Sequence, residues 1–279
     1  MPGKNSMSDM TAGSLAGEVH SALVPAEGRE EILQAPDRTD VRVEEKSIVP
    51  PVKLSILIPV YNEAPYIEQV IRAVRNVQLP EGISTEIVCV DDGSLDGTSK
   101  ILEGMNGSIK VHHSVLNFGK GTAIRIALTF ATGDIILIQD ADLEYNPDDY
   151  WSLIRPIVAG EADVVYGSRF LGKIENMQFA NWLANRILTW TVRLLYGQKI
   201  TDEATGHKVF RADVLKQVKL TCRRFEFCPE VTAKLCKKGY QIVEVPINYR
   251  ARMTNEGKKI RWTDGVAALL TLLRYRFFD

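Results

Sequence analysis

The first fifty residues contain no Phe, Tyr, Trp or Cys. They are rich in Gly, Ser, Ala, Pro and Glu, and cannot bury enough apolar surface to offset the entropy of ordering. The composition predicts a disordered tail over residues 1–50, with Pro50-Pro51 as the boundary and one folded domain over residues 51–279. No apolar stretch follows a basic start in the first thirty residues, so no secretory signal is expected. Long hydrophobic runs are also missing. Stretches such as Gly265–Leu273 fall far short of the ~20 residues that cross a bilayer. The four cysteines form no CxxC pair and no zinc-like spacing, which fits reduced thiols in a cytosolic protein. A strong charge of either sign is absent too. The formal net charge is −1, which argues against a nucleic-acid partner. Residues 1–50 carry five basic and nine acidic side chains, so the remainder is mildly basic.

Beyond Pro51 the pattern changes. Leu54–Pro59, Glu86–Val90, Ile109–His113, Asp134–Gln139 and Ala162–Tyr166 are short apolar runs, as expected of strands buried on both faces. Between them, Pro65–Val77, Thr98–Met105, Thr122–Thr132 and Pro147–Ala159 have helical character. The alternation predicts βαβ units and an α/β fold with a mostly parallel sheet. Ligands of such sheets bind beyond the carboxyl ends of the strands.

Carboxylates collect at those ends. Tyr61-Asn62-Glu63 comes after the first strand, Asp91-Asp92 after the second, Asp140-Ala141-Asp142-Leu143-Glu144 after the fourth, and Gly167-Ser168-Arg169 after the fifth. Carboxylates at i, i+2 and i+4 leaving a strand can converge on one hard cation such as Mg2+ or Mn2+, usually alongside substrate phosphates. A solvated acidic turn is the plainer alternative. Asn117–Gly121 has the glycines of a phosphate loop but lacks GxxxxGK[ST]. The first strand's turn lacks GxGxxG, which disfavours a dinucleotide oxidoreductase. His112 and His113 read as structural strand residues.

The run Ile58–Glu63, then Val90–Thr98, then Asp140-Ala141-Asp142, then Gly167-Ser168-Arg169 resembles glycosyltransferase family 2, and within it the dolichol-phosphate or polyprenol-phosphate mannose synthases. The resemblance spans about Lys53 to Phe277 and implies the GT-A fold. It also implies that Pro59, Tyr61, Glu63, Val90 and Asp92 contact the nucleotide, and that Asp140, Ala141 and Asp142 hold metal and sugar nucleotide, with Glu144 as a third metal ligand. Arg169 is then expected where donor and acceptor phosphates meet. Asp202–Arg211 resembles the acceptor-side segment, with His207 where an aromatic is usual and Lys208 near Arg169. Phe227 and Glu230 match the F-x-x-E of the next helix, and Arg252 and Lys258 the basic loop that neutralises the diphosphate.

The implied activity is metal-dependent, inverting transfer of a hexose from a nucleotide diphosphate sugar to a polyprenyl or dolichyl phosphate. GDP-mannose is the first donor choice, and a UDP-glucose-type donor the alternative. A soluble or glycan acceptor is a further reading; a non-catalytic nucleotide-sugar-binding protein is disfavoured because the DxD carboxylates are present. Met177–Tyr196 and Arg250–Asp279 read as amphipathic helices with Trp and Arg, suited either to core packing or to a membrane interface. The expected location is the cytoplasmic membrane face, held peripherally or through a membrane-anchoring partner.

Overall fold

The computed structural model describes residues 51–105, 107–252 and 262–278. The expected tail and Lys258 lie outside them. Strands β1 (Val52–Val60), β2 (Ile83–Asp91), β3 (Lys110–His113) and β4 (Ile135–Ile138) alternate with helices α1 (Ile67–Asn76), α2 (Thr98–Gly104) and α3 (Lys120–Phe130). After β4 come a 3-10 turn at Pro147–Asp149, helix α4 (Tyr150–Val158) and strand β5 (Val164–Ser168). The second half holds β6 (Ile174–Glu175), α5 (Phe179–Tyr196), β7 (Lys208–Arg211), α6 (Ala212–Lys216), α7 (Phe227–Lys237), β8 (Ile242–Pro246), β9 (Tyr249–Arg250) and α8 (Trp262–Phe277).

The main sheet has seven strands in the order β3-β2-β1-β4-β7-β5-β8. All its pairings are parallel except those of β7, which runs antiparallel between β4 and β5. The mixed α/β architecture matches the expected fold class. Strand side chains alternate between faces. Ile135 and Leu137 of β4 therefore enter the core under α1 and α4, while Ile136 and Ile138 enter the core under α3 and α7. That two-sided burial is why these strands read as unbroken apolar runs. Each fully buried Leu or Ile stabilises the sheet by about 1.5–3 kcal/mol.

Helices α5 and α8 fall within the two amphipathic segments, and the core-packing alternative holds for one side of each. Leu188 and Val192 of α5 pack with Ala268, Leu272 and Tyr275 of α8 in a third core. The opposite sides expose Trp182, Ile187, Trp190 and Leu194 on α5, and Trp262, Val266 and Leu270 on α8. Among the described residues no helix is long and apolar enough to cross a membrane.

Candidate active site

Adjacent parallel strands β1 and β4 bring their carboxyl ends side by side, with Leu57 opposite Ile138. The chain leaving β1 turns through Asn62 at φ 48 to reach Glu63. The Glu63 backbone N–H donates to Thr98 Oγ1 at 2.9 Å, and its carbonyl accepts the first amides of α1. The chain leaving β4 gives Asp140, Asp142 and Glu144. Gln139 fixes this exit. Its Nε2 donates to the Asp140 carbonyl at 3.0 Å, while its Oε1 accepts from Tyr150 Oη at 2.8 Å and from His207 Nε2 at 2.9 Å. Burial drives the His207 pKa down to about 3, so the ring is neutral and can act as this donor.

Cations already sit on these carboxylates. Lys120 Nζ pairs with Asp140 Oδ1. Arg252 Nη2 donates to Asp142 Oδ2 at 2.8 Å, and its Nη1 and Nη2 donate to Glu63 at 2.9 and 3.1 Å. Burial, reinforced by repulsion from Asp140 and Glu144, pushes the Asp142 carboxyl up to about 7. Burial works against the Arg252 charge, but Asp142 and Glu63 outweigh it and hold its pKa above the ordinary value.

The expected three-carboxylate metal set needs correction. Glu144 Oε2 accepts from Tyr249 Oη at 2.8 Å and Oε1 from the Arg252 backbone N–H at 2.7 Å, so this carboxylate anchors β9 and the residues just after it, Arg252 included. Among the described residues no three acidic, His or Cys side chains converge as a ligand set. A divalent cation nevertheless suits the residues present. Four carboxylates, Glu63, Asp140, Asp142 and Glu144, meet two side-chain cations among the described residues. The donors are all oxygen, and Asp140 and Asp142 leave the same strand end two residues apart.

Other expected contacts are rearranged. The Asp92 carboxylate is 2% exposed and accepts the backbone N–H groups of Phe118 at 2.9 Å and Gly119 at 2.6 Å. It holds the loop before α3. That loop is no phosphate cradle, because Gly121 and Thr122 donate to the carbonyls of Arg224 and Arg223. Gly119, at φ 96, is required there, since a Cβ would lie 2.5 Å from the Arg223 oxygen. Val90 is fully buried among core side chains, so it cannot touch a nucleotide through its side chain. Ala141 is buried too, whereas Pro59 and Tyr61 are half-buried at the β1 end.

On the expected acceptor side, the guanidinium fork of Arg169 is turned inward. Its Nε and Nη2 bind the Asp202 carboxylate at 2.7 Å each, and its face stacks 5.0 Å from the Tyr249 ring centroid. At 5% exposure it cannot present that fork to a phosphate. Lys208 is fully buried in β7. Its Nζ donates to the Glu203 carbonyl at 2.7 Å and lies over the Tyr166 ring, so it does not line an acceptor path. Glu230 accepts from the Thr221 and Cys222 amides, Lys234 Nζ and Tyr275 Oη. It pins α8 to α7 instead of facing an acceptor.

The sequence reading missed Lys120, Asp202, Gln139 and Gly206 as individual contributors. A Cβ on Gly206 would lie 2.5 Å from Asp140 Oδ2 and 2.9 Å from the Tyr145 ring, so only glycine lets this turn approach the site. The lysine between two glycines at the start of α3 was the one available signal for Lys120.

Acidic side chains at the carboxyl ends of parallel strands, one antiparallel strand inside the sheet, and a basic residue returning from the last third define an α/β protein of the GT-A type. A family model described as glycosyl transferase family 2 matches residues 55–219, and the chain belongs to that family. The chain is 31% identical over 212 residues to a dolichol-phosphate mannosyltransferase of Pyrococcus furiosus, covering 74% of this chain and 59% of that protein. It is 30% identical over 215 residues to a UDP-N-acetylglucosamine–dolichyl-phosphate N-acetylglucosaminyltransferase of Methanococcus voltae, covering 69% and 83%. The match thus spans about three fifths of the Pyrococcus protein's length. In fold, the chain is similar to the glucosyl-3-phosphoglycerate synthase of Mycobacterium tuberculosis, with a TM-score of 0.64, 20% identity and 82% of each chain covered.

Proposed function

We propose that this protein is a metal-dependent, inverting hexosyltransferase that moves a sugar from a nucleotide diphosphate donor to a polyprenyl or dolichyl phosphate. The observation that carries the reading is the Asp140/Asp142 pair at the β4 end, with Glu63 and Arg252 beside it. Asp140 and Asp142 would hold Mg2+ or Mn2+. When bound, that ion offsets the charge that develops on the leaving diphosphate. Arg252, and Lys258 from the same segment, would take diphosphate oxygens. Tyr61 and Pro59 at the β1 end would face the nucleotide.

A phosphate monoester has its second pKa near ~6 and is largely a dianion at neutral pH. It can attack the anomeric carbon without a protein base, so none of the carboxylates needs to remove a proton. The acceptor class is further supported by α5, which has no acidic residue. An open surface groove along it is lined by Arg186, Ile187, Thr189, Trp190 and Arg193, where basic and apolar side chains meet. Peripheral attachment at a membrane surface, directly or through an anchoring partner, follows from that acceptor.

Mannose from GDP-mannose is the first donor choice, given the activity named for the Pyrococcus relative. A UDP-sugar is the second, given the donor named for the Methanococcus relative. The test is a panel of GDP- and UDP-sugars offered with polyprenyl phosphate and, separately, with the free polyprenol. Transfer to the phosphate alone is expected. Efficient transfer to the alcohol would overturn the base-free mechanism.

A further inference from the structure

The metal–diphosphate reading leaves open why both carboxylates of the Asp140/Asp142 pair already carry protein cations. We propose that Lys120 and Arg252 are placeholders for the divalent cation. Each keeps one carboxylate in position until metal and nucleoside diphosphate arrive together, and each then turns to the diphosphate.

Both side chains are built to move while their backbones stay. Lys120 is the first residue of α3. The start of that helix is clamped by Asp92 on the Phe118 and Gly119 amides, and by the Arg223 and Arg224 carbonyls on Thr122 and Gly121. Only its flexible four-carbon stem reaches Asp140, and the side chain as a whole is 20% exposed. Arg252 is fixed through its own N–H on Glu144, and its guanidinium retains Glu63 when it leaves Asp142. Neither swing breaks a backbone contact.

The electrostatics favour an exchange rather than an addition. A divalent ion placed on Asp140 and Asp142 while Lys120 and Arg252 remained would bring like charges within a few ångströms in a partly buried site, where repulsion is strong. Displaced alone, Lys120 would lose its carboxylate and Arg252 one of its two. A diphosphate supplies new partners at the moment the metal takes the old. Metal alone and diphosphate alone are therefore each weak ligands, and each strengthens the other by the same factor, since such coupling is reciprocal. Glu63 then has a further role, as the carboxylate that keeps Arg252 within reach.

The test is Mn2+ binding to the full chain, read from the free-ion electron paramagnetic resonance signal, without nucleotide and then with GDP or UDP. In the wild type, Mn2+ alone is expected to bind weakly, and the accepted nucleotide to tighten it roughly 5–150-fold, the usual span of such coupling. Lys120→Met should bind Mn2+ alone several-fold more tightly, with a smaller gain from nucleotide, while Lys120→Arg should behave as wild type. Arg252→Gln should shift in the same direction as Lys120→Met through Asp142. It lies on a different element, so it decides the matter if Lys120→Met does not fold. Folded variants that bind Mn2+ alone no more tightly than wild type would overturn the placeholder role. Failure of both nucleotides to tighten Mn2+ in the wild type would instead overturn the metal–diphosphate reading beneath it.

Discussion

At the ends of β1 and β4, four carboxylates meet two side-chain cations. Between β5, β7 and the turn at residues 201–206, Arg169, Asp202, Glu203, Lys208 and Glu244 mostly meet one another and the backbone. The residue types are alike, but their closure differs. Asp142 and Arg252 are part-buried and rest on side-chain partners from distant parts of the sequence. Arg169 and Asp202 are buried in a two-bonded fork, and Glu244 accepts from the Thr201 and Asp202 amides that shape the turn. The lesson is that a charged residue at a strand end serves chemistry only where its partners can be replaced by a ligand. Where they are backbone amides or an internal fork, the same residue serves the fold.

The sharpest way to break this contrast is Asp202→Asn. It leaves Arg169 buried without its anion, which should cost about 3–5 kcal/mol. The melting temperature should then fall by roughly 10 °C. Calorimetry checks this. An unchanged melting temperature with lost turnover would move Arg169 from the fold to the chemistry.

Asp142→Asn should do the opposite. Turnover should fall ~10²–10³-fold, the scale for losing one preorganised electrostatic group. The melting temperature should hold or rise slightly, because a buried carboxylate repelled by Asp140 and Glu144 is removed. Steady-state kinetics beside a thermal melt separates the two readouts.

Glu230→Gln probes the fold side more gently, at about 1.5–3 kcal/mol for hydrogen bonds to a charged group. It also carries a pH signature. Burial alone would raise the Glu230 pKa, but Lys234, Cys222 and Tyr275 outweigh it and hold it at about 2, against an ordinary 4.5. The unfolded chain therefore binds the proton more readily. The stabilisation is complete above about pH 4.5 and drains as pH falls toward about 2. Acid titration of stability should be flatter in Glu230→Gln across that window, with transfer per folded molecule at neutral pH unchanged.

The smallest effect is expected from deleting residues 1–46, which contain no candidate site residue. Transfer per folded molecule should stay within about twofold of the full chain, because that composition supports no core. A large loss of kcat in a folded truncation would contradict it.

Much of this contrast was hidden in the sequence for a physical reason. Strands β1, β2 and β4 are buried on both faces, so Leu54–Pro59 and Asp134–Gln139 announce themselves. The carboxylates just past their ends were legible because parallel sheets place ligands there. Strand β7 was not read. Four residues, Lys-Val-Phe-Arg, begin and end with a charge, and only their antiparallel place between β4 and β5 makes them a strand. Sequence spacing also shows residue type without partner. Asp202 lies thirty-three positions from Arg169, and nothing local tells that they form a fork. Likewise, nothing near Asp92 in the sequence tells that the Phe118 and Gly119 amides donate to it.

We propose metal-assisted sugar transfer at the Asp140/Asp142 end of β4. It is tested most directly by following radiolabelled sugar from the accepted nucleotide donor into polyprenyl phosphate during an EDTA titration, with Mg2+ or Mn2+ added back. Transfer should be abolished by the chelator and restored by the ion, with no change in the melt of the nucleotide-free protein. Transfer that persists undiminished in excess EDTA would contradict the claim.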